Sequence, residues 1–132
     1  MFWISPWGAR TLAPDGADSC VGLELALTRV REREALGVLG ASAGAARYAS
    51  SDGGRVWASA LIGTRRGLGW AAGLTAGPWL ELSPTARPRW GGQLGVWITL
   101  GITPFLRAAT IDDRGVFAEV GLSVPLPVAR WR

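Results

Sequence analysis

Histidine, lysine and asparagine are absent from this chain of 132 residues, and cysteine occurs once, as Cys20. Without histidine, the commonest general base and metal ligand is missing. A single cysteine excludes an intrachain disulfide and a zinc cluster. Charged residues amount to 18%, too few for a disordered chain. No uncharged run approaches the ~20 apolar residues that a membrane-spanning helix requires. The opening Met1-Phe2-Trp3-Ile4-Ser5-Pro6-Trp7 has no basic start, no adequate apolar core and no small-residue cleavage site. No secretory signal is read there, so a membrane destination would need one upstream of Met1.

What is present is unusual in a different way. Nearly half the residues are hydrophobic, tryptophan occurs 8 times and glycine 19 times, and all 14 basic residues are arginine, giving a net charge of +4. The length suits one domain, 1–132, with a weak first strand and loop in 1–18 and a main meander over 19–128. The dominant pattern is alternation. In 68–82, Leu68, Trp70, Leu74, Leu80 and Leu82 share one parity, and Gly69, Gly73, Thr75 and Gly77 the other. Residues 89–103, 116–126 and 21–28 repeat this period of two, the signature of a strand. Weaker versions cover 35–48, 55–64 and 104–111, with a doubtful one near 2–8. Turn compositions separate them, among them Ser51-Asp52-Gly53-Gly54, Ser83-Pro84-Thr85 and Asp112-Asp113-Arg114-Gly115. About eight strands in this length predict an all-β, antiparallel up-and-down meander that closes into a small barrel.

The two faces are not those of a water-soluble sheet. The sharper face is bulky and apolar, and the other is mostly Gly, Ala, Ser and Thr with isolated charges. No charged residue lies between Trp90 and Leu106. A transmembrane barrel accommodates both faces: the bulky side meets lipid and the small side fits a narrow lumen. Inward charges must then pair. A hairpin centred on Asp113 sets Arg107 opposite Glu119, and one centred on Thr85 sets Glu81 opposite Arg89. Glu24, Arg47 and Arg55 are further lumen candidates. Trp70 and Trp90 fall outward near strand ends, where interfacial aromatics belong. Trp57, Trp79 and Trp97 fall on the inner parity. The connections broadly alternate long and short, with 9–18, 49–54 and 83–88 in the longer, aspartate-bearing set and Arg31, Arg33, Arg65 and Arg66 in the shorter.

The runs Gly115-Val116-Phe117-Ala118-Glu119-Val120-Gly121-Leu122-Ser123-Val124-Pro125-Leu126 and Trp90 to Thr103 carry a resemblance to the small eight-stranded outer-membrane barrels of the OmpA type. It is architectural and spans roughly 19–128. It departs from them at the C-terminal end, where Pro125 and Pro127 interrupt the last strand and Trp131 is penultimate. The resemblance implies a Gram-negative outer membrane, with the bilayer as principal partner and a structural, anchoring or surface-interaction role through the loops, or a narrow solute path.

Other chemistry is weakly supported. No Ser-His or Cys-His pair exists, and Asp112-Asp113 has the composition of a tight turn. Cys20 reads as a packing residue at a strand end. Gly67-Leu68-Gly69 and Gly91-Gly92 lack the lysine of a phosphate loop, and the arginines do not cluster with aromatics as in a nucleic-acid interface. The expectation is therefore a protein that is not an enzyme, with no cofactor, metal or nucleic-acid partner. Two alternatives stay open. One is a soluble barrel or sandwich that binds a hydrophobic ligand or partner. The other is a small helical membrane protein, suggested by the G-x-x-x-G spacing of Gly69, Gly73 and Gly77.

Overall fold

The computed structural model describes residues 1–31, 34–65, 70–112 and 115–130, with Arg65 described in its backbone only. Among the described residues strands account for every regular element: β1 (Phe2–Ala13), β2 (Gly16–Val30), β3 (Val38–Tyr48), β4 (Gly54–Arg65), β5 (Ala71–Leu82), β6 (Arg89–Thr99), β7 (Thr103–Ile111), β8 (Gly115–Ser123) and β9 (Leu126–Ala129). Each pairs antiparallel with the next from β1 to β8. The ring closes because β1 also pairs with β8 and then with β9. Strands β8 and β9 are one strand of the barrel in two pieces. Val124 still donates its N–H to Pro6 O at 3.0 Å, but Pro125 has no N–H to give, and the ladder restarts at Leu126. Closure leaves no unpaired edge.

Gly101 and Gly115 take positive φ (98° and 82°) at turns that a Cβ would strain. The residues between strands are 14–15, 49–53, 83–88 and 112–114 at one end, called distal here. At the end that carries both termini they are 31–37, 66–70 and 100–102. The long–short alternation read from the sequence is therefore absent. The expected first loop, 9–18, is strand apart from Pro14 and Asp15, because β1 and β2 pair from Phe2↔Leu27 up to Ala13↔Gly16. The doubtful strand at 2–8 is in fact twelve residues long. The helical alternative fails on the same ground, since Gly73 and Gly77 lie in β5.

Inside and outside follow the alternation. Trp7, Cys20, Trp57, Trp79, Phe105 and Phe117 form a buried core within the barrel. Large lumen side chains meet glycine directly across the ladder: Trp7↔Gly22, Trp57↔Gly44, Trp79↔Gly91, Trp97↔Gly73, Phe105↔Gly121 and Arg107↔Gly95. A Cβ on Gly22 would lie 2.8 Å from the Trp7 indole, and one on Gly95 2.8 Å from Arg107 Cγ. An eight-stranded lumen is just wide enough to be filled by side chains. Each of these side chains packs against a residue that has none, and this is how aromatic residues cover glycine in a sheet. Gly22, Gly44, Gly63, Gly73 and Gly91 leave the space that the lumen tryptophans occupy.

Candidate functional site

Four charged groups of the lumen gather into one chain of alternating charge. Arg55 Nη2 from β4 pairs with Glu119 Oε2 from β8. Arg107 Nη1 lies 3.7 Å from Glu119 Oε1, and Arg107 Nη2 donates to Glu24 Oε2 at 2.9 Å. The order is Arg55–Glu119–Arg107–Glu24, with no net charge. Glu119 is 1% exposed and also accepts hydrogen bonds from the Thr11 hydroxyl (3.3 Å) and the Cys20 thiol (3.6 Å). In so dry a place an unpaired charge would be untenable, and pairing is what permits the cluster.

Aromatic rings enclose the two guanidinium groups. Arg55 sits 5.2 to 5.9 Å from the Trp7, Tyr48, Trp57 and Trp79 ring centres. Arg107 stacks 4.3 Å from Phe105 and also faces Trp7 and Trp57. Trp7 meets Trp57 and Phe105 edge-on at 5.5 and 5.7 Å. Cation–π and edge-to-face contacts of this kind are each worth about 0.5–2 kcal/mol where water is excluded. Together these side chains form a plug that divides the lumen. On the terminal side lies a vestibule of about 1100 Å³ with Glu24 and Arg107 in its lining. On the distal side is a hollow of about 250 Å³ lined by Thr11, Tyr48 and Glu81, and the two share no lining residue.

At the distal rim Asp18 organises the connection between β3 and β4. Its carboxylate accepts the N–H groups of Ser19 (2.7 Å) and Ser50 (3.1 Å) and the Ser51 hydroxyl (3.3 Å). Desolvation opposes its charge, but the bonds from Ser50, Ser19 and Ser51 outweigh it and hold the carboxyl below its ordinary range.

The residues singled out in the sequence fall as follows. Glu24, Arg55, Arg107 and Glu119 meet in the lumen chain. Arg107 is opposite Glu119 in the ladder, yet the tighter partner of Glu119 is Arg55, which comes from across the barrel and which hairpin counting cannot reveal. Glu81 and Arg89 are register partners at the distal rim, on the inner face. Arg47 is not in the lumen. It pairs with Val21 at an outward, exposed position of β3, because the inner parity of that strand is Ser42, Gly44, Ala46 and Tyr48. Trp90 is outward and 62% exposed on β6, and Trp70 is 37% exposed just before β5. Trp57 and Trp79 are buried in the plug, and Trp97 is half-buried at the vestibule. Cys20 is not at a strand end but inside β2, fully buried against the ion chain. Thr11, Trp7 and Tyr48 were missed, and only an accepted first strand and the even parity of β3 would have signalled them. Arg33, Arg66, Gly67, Leu68, Gly69, Asp113, Arg114 and Trp131 lie outside the described residues.

Among solved structures the chain is similar to Neisserial surface protein A, at 13% identity and a TM-score of 0.67, over 96% of this chain and 97% of that one. It is also similar to the outer membrane enzyme PagL, at 11% identity and a TM-score of 0.60, over 94% and 99%. The fold is that of the small outer-membrane β-barrels. No protein-family model and no curated protein matches the chain in sequence. The likeness to PagL corrects one expectation drawn from composition. The same barrel serves an enzyme, so the missing histidine does not establish that this chain lacks catalysis.

Proposed function

We propose that the chain is a bilayer-spanning barrel of the bacterial outer membrane, with a closed lumen and a structural or surface-interaction role at its distal end. One observation carries the membrane reading. The outward face holds a continuous apolar belt bounded on both sides by polar and interfacial residues. On β2 the belt comprises Val21, Leu23, Leu25 and Leu27, all exposed, between Ser19 and Arg29. At about 3.3 Å per residue and a tilt of ~40°, the interval from Ser19 to Arg29 rises roughly 25 Å, the height of the lipid-facing band of such barrels. Around the ring Leu74, Leu94, Val96, Ile98, Leu106 and Val120 continue it. Arg10, Arg47 and Trp90 border it distally, and Arg29 and Trp70 at the terminal end. Among the described residues no charge points outward between these borders. A soluble barrel would have to keep this whole belt in water, far beyond the apolar patch a soluble monomer tolerates.

The plug supports the second half of the proposal. Arg55, Arg107, Glu119 and five aromatic side chains fill the mid-lumen and separate the vestibule from the distal hollow, which argues against a solute path. The connections 49–53 and 83–88 then supply the distal contact surface. The test is refolding into micelles and vesicles. A folded band with heat-modifiable gel mobility, vesicle-dependent protease protection and no single-channel steps in planar bilayers is expected. A monodisperse protein in detergent-free buffer would overturn the membrane reading, and discrete conductance would overturn the closed lumen.

A further inference from the structure

We propose that the outer face of β1 carries a docking site for one membrane lipid with a phosphate monoester headgroup. The inference rests on the bilayer reading above. Two guanidinium groups mark the head of the site. Arg10 on β1 and Arg47 on β3 both point outward and are exposed at the distal border of the apolar belt. Neither side chain has an ion pair or hydrogen bond among the described residues. The register brings them together. Arg10 pairs with Ser19 of β2, and Val21, next on the same face of that strand, pairs with Arg47. Two strand spacings across and one same-face step along place their Cα atoms on the order of 12 Å apart. That is within the combined reach of two arginine side chains, and the exposed Ser19 lies between them. Asp18, beside Ser19 in the chain, has the inward parity of its partner Thr11 and is committed to Ser50 and Ser51.

Below Arg10 the outer face of β1 is a trough. Its next outward residues are Gly8 and Pro6, while the strands on both sides raise walls. Val21 and Leu23 of β2 form one wall, and Leu122 of β8 and Val124 just after it form the other, all exposed. The two walls stand about two strand spacings apart, roughly 10 Å between backbones, which leaves a furrow for one hydrocarbon chain between their side chains. The floor is open: a Cβ on Gly8 would meet nothing nearer than Cys20 O at 3.9 Å. The trough runs from the two cations into the apolar belt, so the headgroup and a chain of one lipid align with it. The headgroup chemistry follows from charge. Two unpaired guanidinium groups match an anion of nearly two charges, and a phosphate monoester carries about −1.5 to −2 at pH 7. Its three terminal oxygens accept from two arginine forks at once. A carboxylate or a phosphodiester brings a single charge.

The full chain in phosphatidylcholine nanodiscs, with dioleoyl phosphatidic acid or dioleoyl phosphatidylglycerol added in increasing proportion, tests this. The readout is nuclear magnetic resonance of the Arg10 and Arg47 Nε–H groups and of the Gly8 and Leu122 amides. Expected is a saturable shift of all four signals at one phosphatidic acid per barrel, and a much weaker response to phosphatidylglycerol. Inorganic phosphate alone is expected to leave the Gly8 and Leu122 amides unmoved. The double substitution Arg10→Gln, Arg47→Gln is expected to weaken phosphatidic acid about tenfold, read at Gly8 and Leu122. Gly8→Leu fills the trough and is expected to weaken it comparably. Arg29→Gln removes a charge from the opposite border of the belt and is expected to change nothing at these signals. The inference is overturned if phosphatidic acid gives no saturable shift, if phosphatidylglycerol matches it, if inorganic phosphate alone reproduces the Gly8 and Leu122 shifts, if the double variant or Gly8→Leu binds as the parent does, or if Arg29→Gln weakens binding as much as the double variant. A chain that does not insert, judged by heat-modifiable mobility and protease protection, fails the bilayer reading itself, whereas one that inserts without a saturable shift fails this inference alone.

Discussion

Arg55 on β4 and Glu119 on β8 form a buried ion pair across the lumen, from strands on opposite sides of the ring. Both are almost completely dry, at 3% and 1% exposure, and Glu119 also holds Arg107. Coulomb attraction here is strong, but so is the cost of removing each group from water. Glu119→Gln leaves two arginines facing each other in the aromatic cage. It is expected to destabilise the barrel by about 3–5 kcal/mol, whereas Glu119→Gln with Arg55→Met recovers much of the loss. Urea unfolding in vesicles, read by heat-modifiable gel mobility, checks both. A double substitution as damaging as the single one would show that the aromatic contacts of Arg55, not its charge, matter most.

The glycine–aromatic pairs make a second prediction. Gly22→Ala places a Cβ 2.8 Å from the Trp7 ring and against the backbone of Ala45. Overpacking of this kind costs about 1–3 kcal/mol. If the pairing is the cause, shrinking the partner by Trp7→Leu makes the same alanine substitution cheaper. A double-mutant cycle on Gly22 and Trp7 reads that coupling directly, and additivity would count against it.

The apolar belt predicts a depth profile. Arginine at Leu23 or Val96, mid-belt, is expected to cost about 2–4 kcal/mol in vesicles, and arginine at Val116 near the distal rim about 0–1 kcal/mol. Equal and small penalties at all three positions would mean that hydrocarbon does not surround the belt.

The sequence revealed the barrel more readily than the site because alternation is local and lumen contacts are not. Period-two patterning sets the parity of Leu94, Val96 and Ile98 against Gln93, Gly95 and Trp97, and β6 keeps that division. Hairpin counting likewise put Arg107 opposite Glu119. Arg47 shows where the reading stopped. In 35–48, Ala41 to Ala46 contain no bulky residue, so parity has no contrast to fix it, and the sequence alone does not show that Arg47 faces outward. Strand β1 was obscured by Pro6 and Gly8, although its ladder with β2 is unbroken. The Arg55–Glu119 and Arg107–Glu24 pairs needed the closed ring, since sequence separation carries no information about which strands face across a lumen.

Asp18 allows a prediction about pH at the distal rim, beyond the apolar belt. Its folded pKa lies below the ordinary aspartate value of 3.8, because hydrogen bonds from Ser50, Ser19 and Ser51 outweigh desolvation. A depressed carboxylate pKa contributes stability that is present above the unfolded value and is lost as the pH falls through the folded one. At neutral pH the link between β2 and the 49–53 connection is therefore intact, and it is released only at pH below the ordinary carboxylate range. The amide resonances of Ser50 and Ser51 are expected to titrate together with a midpoint below 3.8. Asp18→Asn removes the charge that strengthens these bonds, so the shared titration is expected to vanish and hydrogen exchange at Ser50 to quicken at neutral pH. A midpoint at or above the ordinary value, with exchange at Ser50 unchanged in Asp18→Asn, would show that Asp18 does not hold this loop.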